Sequence, residues 1–192
     1  MAILPVDHHF IFYGNASAEI GAGHIMRLLA LAQCTALNGI KISFICKECP
    51  QLLIDKIKDQ YFDLHYCQSP LNADEFISYK PTVIVIDDYA LTSDEWCQLH
   101  RLSCYKVLFD DNQHQLSLHG DLIVNPAPDT FLVSYKNRAE SAVFCLGPEY
   151  TLLRQEFISE VADATASRDH IIITLGGADI KNLAYPLSLQ LL

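Results

Sequence analysis

The run "VIVID" at 83–87, with its counterpart "IIIT" at 171–174, limits the fold more than any other feature of the chain. Successive side chains of a strand point to opposite faces, so an apolar run without alternation describes a strand covered on both sides. That condition is met inside a parallel sheet with helices on each face. The rest of the sequence agrees, because short apolar runs alternate with helical patterns along the whole chain. Strands are predicted at 9–13, 41–46, 63–67, 82–87, 105–110, 121–125, 142–146 and 170–175.

Helical patterns lie between them. The first carries Ile25, Leu28, Leu29, Ala32 and Ala36 at spacings of three and four, and Asn38-Gly39 supplies a left-handed stop. Others are predicted at 51–58, 72–78, 93–102 and 151–162. A length of 192 residues suits one complete domain and the beginning of another. Residues 1–163 are expected to form an α/β, Rossmann-like, doubly wound domain with a mainly parallel sheet. The small and polar stretch "ATASRD" at 164–169 reads as a linker. Residues 170–192 then read as the first strand, glycine turn and helix of a second domain that breaks off. Pro186 is awkward in a long helix but tolerable if Asn182 caps it, since first-turn N–H groups lack intrahelical partners.

Charge excludes one class of partner. The 13 Lys and Arg against 23 Asp and Glu leave a net charge of −10, and no basic run could track a nucleic-acid backbone. A phosphate ester would have to be held locally, by backbone N–H groups at a helix start. The opening "MAILPVDHHF" lacks the pattern of a signal peptide and no run of 18 apolar residues occurs, so a cytoplasmic protein without a membrane partner is expected. The seven cysteines show no disulfide spacing. Cys46 and Cys49 form one C-x-x-C but have no second pair for zinc.

In doubly wound sheets ligands sit beyond the carboxyl ends of the strands. The loop after the first strand runs into "EIGAGHIMRLLALAQ", 19–33. It lacks the third glycine of a dinucleotide loop. What remains is Gly21 and Gly23, where backbone can approach a ligand, and His24 at the start of a helix. The helix dipole disfavours a protonated imidazole there, which suits a base; an ordinary N-terminal helix residue is the alternative. The fourth and fifth strands end in Asp87-Asp88-Tyr89 and Asp110-Asp111-Asn112, and at least two of these four acids are expected to be caps or turn residues. The later "LGGAD" is a second glycine turn before a helix.

Taken together, "IGAGHIMRLLALA", "VIVIDDYAL", "VLFDDN", "DLIVNPAP", "GPEYTLLRQEF" and "ITLGGADIKNL" resemble one family in order and spacing. It is the UDP-2,4-diacetamido-2,4,6-trideoxy-β-L-altropyranose hydrolases of pseudaminic acid biosynthesis, which are similar to GT-B glycosyltransferases. The resemblance implies a cleft between two Rossmann-like domains, the N-terminal one holding sugar and base, the C-terminal one holding UDP. His24 would take a proton from the water that attacks C1, and UDP would leave with inversion. No metal or other cofactor is implied.

By the same match Asn15, Tyr89, Asn125, Tyr150 and Arg154, with Gly21 and Gly23, become candidates for the sugar pocket, and Gly176, Gly177, Asp179 and Asn182 for the UDP side. Tyr150 and Arg154, four apart in the helix predicted at 151–162, would share a face or brace a hinge. The sequence departs from the family at Tyr13 and Asn15, where an Arg and an Asp are usual, at Asp88, often a histidine, and at Ala127, where an asparagine is expected. A glycosyltransferase, or a catalytically degenerate sugar-binding module, are the alternative readings. The broken second domain predicts either a C-terminal partner domain or self-association through 170–192.

Overall fold

The computed structural model describes residues 8–111, 120–127, 135, 141–159, 171–175, 179 and 181–191. Seven strands, β1 (His9–Gly14), β2 (Lys41–Cys46), β3 (Asp63–Tyr66), β4 (Val83–Asp87), β5 (Tyr105–Phe109), β6 (Leu122–Asn125) and β7 (Val143–Leu146), form one sheet in the order β3-β2-β1-β4-β5-β6-β7. Every pairing is parallel. The fold is the α/β, Rossmann-like sheet expected from the two-sided apolar strands.

The helices are α1 (Gly23–Ala36), α2 (Gln51–Lys58), α3 (Ala73–Ile77), α4 (Ser93–His100), a 3-10 turn at Pro148–Tyr150, α5 (Gln155–Ser159) and α6 (Ala184–Gln190). None is long and apolar enough to cross a membrane among the described residues. Gly39, at φ 72°, donates to Ala36 O and stops α1 as the Asn38-Gly39 pair predicts.

Strand alternation sorts the core into two layers. Phe12, Phe44, Val85, Phe109 and Val124 meet Ile25, Leu28 and Leu29 of α1 and Leu53 and Ile57 of α2. Ile11, Tyr13, Ile45, Ile84, Ile86 and Leu108 meet Phe76 of α3 and Trp96 and Leu99 of α4 on the other face. β1 and β4 are adjacent, with connections leaving to opposite sides, so a crevice opens at their carboxyl ends.

Three expectations for the C-terminal third change. Residues 171–175 form no strand, and Ile171 and Ile172 are 70% and 86% exposed. An apolar run becomes a strand only with a neighbour to complete its hydrogen bonds, and none of the described residues pairs with it. The helix predicted over 151–162 is present in the described residues only from Gln155, because Thr151 at ψ 126° is extended. Helix α6 is capped by Asp179 rather than Asn182: its carboxylate accepts from Leu183 N at 2.8 Å and Ala184 N at 3.0 Å. The linker expected at 164–169 lies outside the described residues.

Candidate functional site

The crevice is built by one missing side chain. Gly14 ends β1 opposite Asp87 of β4, and a Cβ there would lie 2.7 Å from Leu28 Cδ1 and 2.9 Å from Asp87 O. Its absence lets α1 press against the end of β4. The loop between β1 and α1 folds back on itself: Gly21 N donates to Ser17 O at 2.8 Å, with Gly21 at φ 83° as only glycine readily allows. Ser17 Oγ accepts from the amides of Glu19 and Ile20. The chain then enters α1 at Gly23, and His24 is delivered over the carboxyl end of β4.

There His24 Nδ1 meets Asp87 Oδ1 at 2.7 Å. Asp87 is fully buried, and His24 keeps only 8% of its surface exposed. Burial alone would raise the Asp87 pKa; hydrogen bonds from His24 and Arg27, and the charge of Arg27, outweigh it and hold the carboxyl below its ordinary value. An ionised carboxylate can only accept, so Nδ1 carries a proton, and in the neutral ring the lone pair is then on Nε2. No partner binds Nε2 among the described residues. The Tyr89 ring stands edge-on to the imidazole at 4.3 Å between centroids. Ile20, Gly23, His24, Arg27, Tyr89 and Asp111 line an open cleft of about 240 Å³. The arrangement is an imidazole oriented by a buried carboxylate, a pairing that can activate a hydroxyl or water. Among the described residues, no group of three or more His, Cys, Asp or Glu is placed to hold a metal ion.

The predicted site residues fall into distinct groups. His24, Gly23 and Tyr89 share the cleft, and Gly21 shapes its loop. Asn15 is 5% exposed and works inward: its amide donates to Asp88 Oδ2 at 2.8 Å and accepts from Lys47 N at 2.7 Å. Tyr13 also donates to Asp88 Oδ2, and burial with the Asp88 charge pushes its phenol pKa up. Asn125, 1% exposed, donates to Tyr135 Oη at 2.7 Å and accepts from Ala127 N.

Tyr150 and Arg154 share no helix face, since Tyr150 closes the 3-10 turn and Arg154 precedes α5. Tyr150 borders a separate apolar groove with Phe109, Leu122 and Val124; Arg154 lies over the Phe157 ring at 4.7 Å. Asp179 and Asn182, at φ 36° and 50°, form the turn before α6, and Gly176 and Gly177 lie outside the described residues.

Sequence reasoning missed Arg27. It sits one turn after His24 on α1 and donates to both Asp87 oxygens, at 2.7 and 2.6 Å, and to Asp111 Oδ2 at 2.6 Å. Burial works against its charge, but the two carboxylates more than reverse that and raise its pKa. The spacing of three between His24 and Arg27, opposite strand-end acids, was the available signal.

No known family profile matches the chain. Over 179 residues, 88% of its length, it is 30% identical to an uncharacterised protein of Methanocaldococcus jannaschii, of which the match spans 37%. Over 187 residues, 94% of its length, it is 28% identical to the UDP-2,4-diacetamido-2,4,6-trideoxy-beta-L-altropyranose hydrolase of Campylobacter jejuni, of which the match spans 65%. The chain spans less than two thirds of either relative, and along nearly all of its own length it is similar, at a distance, to a UDP-sugar hydrolase.

Proposed function

We propose that the chain is the sugar-binding, base-bearing part of a nucleotide-sugar hydrolase. The observation that carries this reading is the His24–Asp87 pair at the mouth of an open cleft, with no partner on Nε2 among the described residues. In the reaction, water attacks the anomeric carbon and its proton passes to His24 Nε2. The bond from C1 to the phosphate oxygen breaks with its electron pair going to UDP, and the configuration inverts. A nucleoside diphosphate leaves readily, so one general base suffices where a glycosidase uses two carboxylates. The similarity to the Campylobacter enzyme supports a UDP-linked diacetamido-trideoxyhexose as substrate, in pseudaminic acid biosynthesis.

The cleft residues Gly23 and Tyr89 would contact the sugar, and Gly176, Gly177, Asp179 and Asn182 would belong to the UDP side. UDP itself calls for more chain than 171–191, so a C-terminal domain would complete the site. UDP release from the UDP-sugar is the test, measured with the 192-residue chain alone and with a C-terminal domain supplied. Release only in the completed protein, abolished by His24→Ala without loss of the folded circular dichroism spectrum, is the expected result. No release from the completed wild type, or equal release by wild type and His24→Ala, overturns the reading. A degenerate sugar-binding module is the second reading, favoured by the inward pairing of Tyr13 and Asn15 with Asp88.

A further inference from the structure

Among the described residues the His24 ring hydrogen-bonds to one atom, Asp87 Oδ1, and Asp87 is in turn held by Arg27. The guanidinium places Nε on Oδ2 and Nη2 on Oδ1, a planar two-point contact that an ammonium group cannot reproduce. Arg27 is itself fixed from other sides. Nη1 donates to Asp111 Oδ2 at 2.6 Å, Nη2 reaches Tyr89 Oη at 3.3 Å, and the Phe109 ring lies against the guanidinium with its centroid at 4.8 Å.

We infer that Arg27, anchored by Asp111, is a positioning residue that locks the Asp87 carboxylate in the orientation that keeps His24 in its Nδ1–H form. Two physical arguments support this. The last torsion of an aspartate is broad, so a carboxylate gripped only by an imidazole can turn, and the ring can then change tautomer. A guanidinium on both oxygens removes that freedom and leaves one Oδ1 lone pair for Nδ1–H. The second argument is charge. Beside His24 stand Asp87, Asp111 and Arg27, with formal charges summing to −1, and the neutral Tyr89 ring. A proton on Nε2 brings the group to zero. Without Asp111 the same guanidinium would face the newly formed imidazolium uncompensated, so Asp111 allows a cation to clamp the partner of a base.

This inference rests on His24 as the base, and its test needs no turnover. In the whole chain labelled with ¹⁵N-histidine, long-range ¹H–¹⁵N spectra distinguish the two neutral tautomers. Wild type is expected to show His24 in one form, with Nε2 unprotonated. Arg27→Met is expected to give a mixture in which the Nε2–H form reaches a comparable share. Arg27→Lys, which keeps charge and stem but not the two-point contact, is expected to give the same mixture. If Arg27→Met does not fold, Arg27→Lys decides alone. A wild-type ring in the Nε2–H form, or a variant ring unchanged from wild type, overturns the inference. In a completed, active enzyme both variants would lower kcat about 10²-fold with little change in KM. Absence of UDP release from the completed wild type would count against the proposed function and leave the tautomer result standing.

Discussion

Asp87 and Asp88 are neighbours with opposite tasks. Asp87 faces α1 and binds His24 and Arg27; Asp88 faces the other layer, accepts from Tyr13 and Asn15, and holds the turn through Ala90 N at 2.9 Å. Strand alternation alone separates the two roles. Replacing Asp87 with Asn keeps its shape but removes the charge, and the amide can present a donor to Nδ1. UDP release by the completed enzyme is then expected to fall about 10⁴-fold, as for an orienting acid of a catalytic triad. The same change leaves Arg27 short of a buried partner, so urea denaturation should show a loss of about 3 kcal/mol. Asp88→Asn, which perturbs only the brace, serves as the control.

Elements enter through contact distance and caps. Gly14→Ala must push α1 away from the end of β4, because both Leu28 and the Asp87 carbonyl stand within 3 Å of the new methyl group. Overpacking of this kind costs about 1–3 kcal/mol, measurable by denaturation, and the His24 spectrum should change with it. Helix α4 makes a different prediction. Thr92 and Glu95 form a reciprocal capping box, and Glu95 also binds Lys47 Nζ and Leu71 N. Burial opposes ionisation of Glu95, but these donors outweigh it and bring its pKa from 4.5 down to about 2. The unfolded chain therefore binds this proton first as pH falls. The stability that Glu95 contributes is complete above its unfolded pKa and is lost between about pH 5 and pH 2. Urea midpoints across that window should drop more steeply for wild type than for Glu95→Gln.

At the scale of the whole molecule, the described part of 171–191 keeps Ile171, Ile172, Tyr185, Leu189 and Leu191 more than half exposed. Apolar surface of this kind favours association. The chain is expected to sediment with a concentration-dependent mass, and Ile172→Lys with Leu189→Lys to shift it towards monomer. The N-terminal sheet was legible because its strands and helices announce themselves locally: β2 and α2 begin and end where their periodicity does. His24 was legible because glycines and a helix start frame it. The clamp on Asp87 was not, since it depends on α1 crossing the ends of β4 and β5, a relation carried by Gly14 and by strand order. The run at 171–175 misled because apolar content shows what could pair without showing that a partner is present.

His9 ties three neighbouring strands together at their amino-terminal ends. Its backbone exchanges hydrogen bonds with Thr82, its Nδ1 meets Tyr79 O and its Nε2 meets Ser43 Oγ, each at 2.8 Å for the ring. Those contacts set where β4 starts relative to β1. A slip of one residue there would turn Asp87 away from His24 and offer Asp88 in its place. The alignment of the base with its acid is therefore decided about 16 Å away, at the opposite end of β1. A loop of changed length before Val83 would silence the site without touching any residue in it.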